Sequence, residues 1–161
     1  MAADYFLEID GIKGETQDHK HKETIEIDSF SWGANNMGTF AGGGGGGAGK
    51  VSYSDLSFTT SANKASPKLM LSCATGAHIK KATLFVRKAG GKQEDYYTIT
   101  MSDVLVSSYQ SSGSAGGDSL PMDSFSLNFA KIEYAYKPQK ADGTLDAEVK
   151  VGYDLKKNEK V

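Results

Sequence analysis

Apolar and polar residues alternate in short runs along most of the chain. Ile25 and Ile27 flank Glu26, and Leu56 and Phe58 flank Ser57. Ala82, Leu84 and Val86 share one parity, as do Tyr97, Ile99 and Met101. Phe125, Leu127 and Phe129 form a further set, and Val149, Val151, Tyr153 and Leu155 another near the end. Successive side chains on a strand point to opposite faces, so this two-residue period predicts half-buried strands. In three segments the apolar parity flips. Ile25 and Ile27 are odd but Phe30 and Trp32 even; Met101 gives way to Val104, and Phe129 to Ile132. A flip needs an extra residue or a bend, and a bent strand can pass from one packed sheet to another. The pattern predicts an all-β fold, an antiparallel β-barrel of two packed sheets, over separate short strands joined by turns. Phe30, Trp32, Phe58, Leu84, Leu127 and Phe129 are its expected core, some of them alternatively facing a neighbouring subunit.

One short flanking helix interrupts the strands. Ser66 suits its N-cap, Pro67 its first position and Gly76 its end. Leu69, Met70, Leu71, Cys73 and Ala74 would give it an apolar face, with Cys73 a small buried residue. Three loops are expected. Gly38 to Gly49 contains six consecutive glycines, Gly42 to Gly47, whose ordering costs much backbone entropy. Ser111 to Leu120 is rich in Ser and Gly, and Lys137 to Gly143 holds Pro138 and an Asp142-Gly143 turn. None divides the chain, so residues 1–161 read as one domain.

Composition removes several functions. With 18 basic and 20 acidic residues, a net charge of −2 argues against nucleic-acid binding. The lone Cys73 cannot form an internal bridge, which fits a reducing cytoplasm. No stretch reaches the length of a membrane span, and the N-terminal run is too short for a signal peptide. Gly44-x-x-x-x-Gly49-Lys50 matches most of a phosphate-binding loop, but Val51 stands where Ser or Thr must hold magnesium, and a strand pattern follows. His19 and His21 could begin a zinc site, yet Lys20 and Lys22 oppose a cation. A solvated segment is the expected state there, and His78 reads as a loop residue. Glu94 and Asp95 would face opposite sides of a strand, and no nucleophile elbow occurs. No catalytic residue, cofactor or metal site is expected.

Several stretches are characteristic together. They are Phe30-Ser31-Trp32-Gly33, the glycine run into Lys50-Val51 and on to Asp55-Leu56-Ser57-Phe58-Thr59, and Ser66-Pro67-Lys68-Leu69. Arg87-Lys88-Ala89-Gly90-Gly91, Val104-Leu105-Val106-Ser107-Ser108, Leu127-Asn128-Phe129-Ala130-Lys131-Ile132 and Lys137-Pro138-Gln139-Lys140-Ala141-Asp142-Gly143 follow in order. The chain resembles the Hcp family, haemolysin-coregulated proteins of the type VI secretion system. The resemblance implies a β-barrel with a flanking helix, closed into a hexameric ring. Rings would stack into a tube inside a contractile sheath, tipped by a spike protein of the VgrG type. The tube would carry effector proteins and be expelled, leaving the cytoplasm without a cleaved signal peptide.

Two residue groups follow as expectations. Gly38, Gly42, Gly43, Gly44, Gly45, Gly46, Gly47 and Gly49 would form a loop that orders when rings stack; the alternative is a tolerated surface loop. Ser29 and Ser31, opposite in parity to Phe30 and Trp32, would line the channel and touch effectors, or else face outer solvent or a neighbour. A monomeric β-sandwich binding module is the alternative reading, and an enzyme with convergent catalytic residues the third.

Overall fold

The computed structural model describes residues 3–38, 48–88, 93–116 and 120–161. The elements are β1 (Ala3–Ile9), β2 (Ile25–Ile27), β3 (Ser29–Ser31), β4 (Ala34–Gly38), β5 (Ala48–Tyr53) and β6 (Leu56–Ser61), then α1 (Ser66–Thr75). There follow β7 (Ile79–Lys88), β8 (Asp95–Ser112), β9 (Met122–Tyr136), β10 (Val149–Asp154) and β11 (Glu159–Lys160). The main sheet has the order β11-β10-β9-β8-β7-β1-β2, with β6 joined to β9 and β3 to β6. β4 and β5 form a separate hairpin.

The long strands β8 and β9 are the spine, paired antiparallel from Tyr97↔Tyr136 to Ser112↔Met122. One half of this pair carries β7 beside β8 and β10 beside β9. The other half carries β6 beside β9, and β3 beyond it. The apolar faces of the two halves share one core, in which Leu84, Ile99 and Met101 meet Phe58, Phe125 and Val106.

The parity flips mark where the sheet bends. Burial switches from Met101 to Val104 in β8 and from Phe129 to Ile132 in β9. The same switch runs from Ala82 to Ile79 in β7. Since Met101 pairs with Ile132 and Val104 with Ile79 and Phe129, the three flips form one crease across three strands. Asp103 sits on it with φ 52° and drops out of both ladders. Asp tolerates this left-handed region better than most residues. His78 and Lys156 hold its carboxylate at 2.9 Å and 3.6 Å. A β-bulge between Val106 and Ser108 adds a further bend.

The flip between Ile27 and Phe30 is a corner. β2 pairs with β1, whereas β3 pairs with β6. Asp28 lies between them, its N–H donating to the Thr59 carbonyl at 2.8 Å. Here the structure corrects the sequence reading: among the described residues the barrel is not closed by a continuous ladder, and the covalent chain bridges the two halves of the sheet at this residue.

Phe58, Leu84 and Leu127 are fully buried and Phe129 nearly so, each contributing roughly 1.5–3 kcal/mol relative to exposure. Phe30 and Trp32 depart from expectation and are only partly buried. They sit at the margin of the core in a cluster of rings. Phe30 meets Tyr5 at 5.5 Å and Tyr97 at 5.7 Å, and Trp32 meets Tyr134 at 5.6 Å.

The helix forms where expected but is capped differently. Its N-cap is Ala65, without a side-chain cap. Ser66 instead accepts the Asn63 N–H at 2.9 Å and donates its hydroxyl to Asp123. The Tyr109 hydroxyl donates to the same buried carboxylate at 3.0 Å, so the Ser66 side chain anchors the helix to the sheet. Gly76 ends the helix with φ 64°, a conformation open to glycine. Leu69 is buried and Cys73 packs partly against the core, whereas Met70, Leu71 and Ala74 are exposed. Only a narrow stripe of so short a helix touches the sheet.

Candidate functional site

The outer face of the β3-β6-β9-β8 half-sheet is built by strand register. Ser31 pairs with Ser57, Ser57 with Ser126 and Ser126 with Ser108. The next row reads Ser29, Thr59, Ser124 and Gln110. Residues opposite one another across strands share a face. The phenyl rings of Phe30, Phe58 and Phe125 lie on the other side, towards the core. No charged side chain stands in these two rows.

The hydroxyls bond to one another. Ser29 and Thr59 meet at 2.5 Å, and Ser126 meets Ser107 at 2.7 Å and Ser108 at 2.6 Å. At the bulge, Asp55 accepts from Ser107 at 2.6 Å and from Asn128 at 2.9 Å. Ser29 and Ser31 are exposed, as their parity requires. Ser57, Thr59, Ser108, Gln110, Ser124 and Ser126 escaped the sequence reading. Their signal was a hydroxyl at every second position of 57–61, but nothing local says which strands adjoin.

Among the described residues the half-sheet has two edges without a strand partner. Among the described residues, β3 pairs only with β6. In β8 the pairing to β7 ends at Val104, so residues 105–112 pair on one side only. That edge reads Leu-Val-Ser-Ser-Tyr-Gln-Ser-Ser, without charge or proline.

An apolar face lies elsewhere. Tyr136, Val149 and Val151 are 43%, 62% and 63% exposed. Val149 pairs with Tyr136, and Val151 with Tyr134. They continue the core face of the sheet past the point where the second half covers it. The β4-β5 hairpin pairs apart from the main sheet, Asn35 opposite Ser52 and Gly38 opposite Ala48. Gly38 and Gly49 thus lie in strands and not in the loop. Gly42 to Gly47 lie outside the described residues. Val51 to Tyr53 are strand, so no helix N-terminus follows Lys50.

His21 corrects the expectation of a solvated segment. It is 7% exposed, stacked between Phe6 and Phe85 with centroids 4.8 Å and 4.6 Å away. Its Nε2 meets Asp95 Oδ1 at 3.0 Å. Arg87, 3% exposed, donates to Asp18 at 2.8 Å and Asp4 at 3.1 Å. Burial pushes the Asp18 carboxyl up, but the Arg87 hydrogen bond, backbone N–H groups and the Arg87 charge together hold it below the usual carboxylate range. Among the described residues no three His, Cys, Asp or Glu side chains converge as metal ligands.

Residues 6–136 match the family model described as "Type VI secretion system effector, Hcp". The chain belongs to the Hcp family. It is 46% identical over 160 residues to Protein hcp1 of Pseudomonas aeruginosa, covering 98% of each chain. A solved structure titled as a type six secretion system protein superposes with a TM-score of 0.94 at 31% identity, covering 99% of this chain and 100% of the other. Hcp1 of Salmonella typhimurium superposes with a TM-score of 0.80 at 34% identity, over the whole of both chains. The mostly β, antiparallel fold with its helix is therefore the Hcp fold, and the chain is a type VI secretion system protein. No helix of the described residues is long and apolar enough to cross a membrane.

Proposed function

We propose that six copies of this chain close into a ring and that rings stack into the inner tube of a type VI secretion system. The observation that carries this reading is the β3-β6-β9-β8 half-sheet, with two rows of uncharged side chains on one face and, among the described residues, two edges without a strand partner. A free edge without charge or proline is a template for another chain. The β8 edge of one copy and the β3 edge of the next make a head-to-tail contact, and such contacts form rings when the rotation closes. Edge-to-edge pairing places the Ser29 and Ser31 rows of every copy on one wall, the channel. The apolar Tyr136-Val149-Val151 face supports the same reading, because a neighbour would cover it.

The β4-β5 hairpin is the stacking element. A lone two-stranded hairpin is marginal in water, and ordering six consecutive glycines, Gly42 to Gly47, costs backbone entropy that contact with a second ring would offset. The ordering cost keeps stacking reversible until a partner nucleates it. The family supplies the rest: a contractile sheath outside, a VgrG-type spike at the tip, effector proteins inside and expulsion of the tube. The chain waits in the cytoplasm until firing and leaves with the expelled tube. It acts by assembly and passenger binding, not by catalysis.

Electron microscopy of the purified protein, with mass measurement in solution, tests this directly. Rings of six are expected; lone subunits at every concentration overturn the reading. Ser31→Tyr should leave rings intact and reduce effector retention. Unchanged retention would remove Ser31 from the channel wall.

A further inference from the structure

We propose that Trp32 and Tyr53 are positioning residues for ring stacking: together they fix the direction in which the β4-β5 hairpin leaves the barrel. The proposal rests on the stacking role given to the hairpin above and names what aims it. Among the described residues neither hairpin strand pairs with the main sheet, so no backbone ladder sets its angle. Side chains hold its root instead. Trp32 stands two residues before β4 begins its pairing at Ala34, and Tyr53 ends β5 opposite Ala34. Both rings pack at the margin of the core, nearly parallel at 13° with centroids 6.4 Å apart. The Trp32 Nε1–H donates to the Tyr97 hydroxyl at 3.3 Å, and Tyr53 meets Phe129 edge-on at 5.9 Å. Tyr97 belongs to β8 and Phe129 to β9, so each root is tied to one strand of the spine.

Next to the rings, Gly33 and Ser54 close the base of the hairpin. The Gly33 N–H donates to Ser54 Oγ at 2.8 Å, and the Ser54 N–H to the Gly33 carbonyl at 2.9 Å. This clamp joins the two strands to each other, whereas the aromatic pair couples their direction to the barrel. The angle matters because the hairpin is a lever. A tilt of about 15° moves the end of a five-residue strand, roughly 17 Å long, by roughly 4 Å. A hydrogen bond spans about 3 Å, so a hairpin tilted that far misses its partner groups on the next ring. A wobbling hairpin also has more freedom to lose on contact, which weakens stacking. Gly33 is the loose point of the root. A Cβ added there would have Ser54 Oγ as its nearest neighbour, at 3.8 Å, and the backbone is not in the left-handed region. Alanine therefore fits and narrows the range of directions.

The test compares full chains carrying Trp32→Leu, Tyr53→Leu, Tyr53→Phe or Gly33→Ala with wild type. Circular dichroism checks folding and mass in solution checks rings. Stacking is read as the protein concentration at which tubes appear in electron micrographs. Hairpin direction is read by pulsed electron spin resonance between labels on the exposed Asn35→Cys and Lys80→Cys. Those chains also carry Cys73→Ala, and labelled subunits are diluted into unlabelled rings. Both leucine variants should keep their rings, broaden the label-to-label distance and raise the tube concentration by about tenfold. Tyr53→Phe, which keeps the ring, should stack like wild type. Gly33→Ala should narrow the distance and lower the tube concentration by about two- to fivefold. Leucine variants that stack like wild type, or that keep its narrow distance, overturn the proposal. So does a Gly33→Ala chain that needs more protein to stack. Loss of rings in both leucine variants overturns it too, since the two residues would then serve ring closure. Rings that still stack without Gly42 to Gly47 overturn the hairpin's stacking role, and the proposal with it. Absence of rings in wild type overturns the tube reading itself.

Discussion

Arg87 is the most consequential single charge in the described structure. Its guanidinium lies over the Phe6 ring at 4.8 Å, bonded to Asp4 and Asp18. It ties the segment before β2 to the sheet. Removing one partner of a buried pair strands the other. Arg87→Met should therefore lower stability, read from urea unfolding, by less than the ~3–5 kcal/mol of a fully buried pair, because the Asp4 and Asp18 side chains keep 36% and 17% exposure. The Asp18 pKa is depressed in the folded state, so its contribution is present above the unfolded carboxylate value and lost as pH falls through the folded one. Acid unfolding of Asp18→Asn should accordingly show a shallower low-pH limb than wild type. Tyr97 gives the alkaline counterpart. Burial is the main cause raising its hydroxyl pKa from 10.0 to about 12; the Trp32 hydrogen bond opposes the rise and Tyr134 adds to it. A raised value means stability complete below pH 10 and lost towards pH 12. Burial also raises Tyr53, Tyr96 and Tyr109, so tyrosinate absorbance should show several late-titrating groups, the last of them absent in Tyr97→Phe.

At the scale of elements, the crease through Asp103 separates the two halves of the core. Its carboxyl lies below the usual range, chiefly through the hydrogen bond from His78 and then the Lys156 charge. A β-branched residue is strained at φ 52°. Asp103→Val should lower the urea midpoint, and Asp103→Gly should recover part of the loss; equal midpoints for the two would show that backbone strain is not the cause. The hairpin makes a different prediction. Deleting Gly42 to Gly47 should leave the subunit's melting temperature nearly unchanged and abolish stacked tubes in micrographs, because six glycines bring no side chains to a core. Unchanged tubes would leave it an ordinary surface loop.

At the scale of the whole molecule, assembly rests on surfaces that a lone subunit does not need. Val149→Asp with Val151→Asp should fold normally by circular dichroism, since both side chains are largely exposed. It should remain monomeric by mass, because a desolvated charge at an interface is costly. A ring of normal mass would show that β10 faces solvent in the assembly.

The sequence by itself determined the local periods. Alternation placed the strands, Pro67 and Gly76 bracketed the helix, and the flips at Ile27–Phe30, Met101–Val104 and Phe129–Ile132 announced three of the bends. Parity also put Ser29 and Ser31 outside. Only the tertiary structure decided the pairings, because which strands adjoin depends on contacts distant in sequence. Register joined Ser31 to Ser57, Ser126 and Ser108 and made a face of scattered serines. It also aligned the Ile79 flip with the other two into one crease. Burial of His21 between Phe6 and Phe85, and exposure of Val149 and Val151, reversed what their local patterns suggested. A residue's period tells which side of its own strand it occupies, but only the packed molecule determines what covers that side.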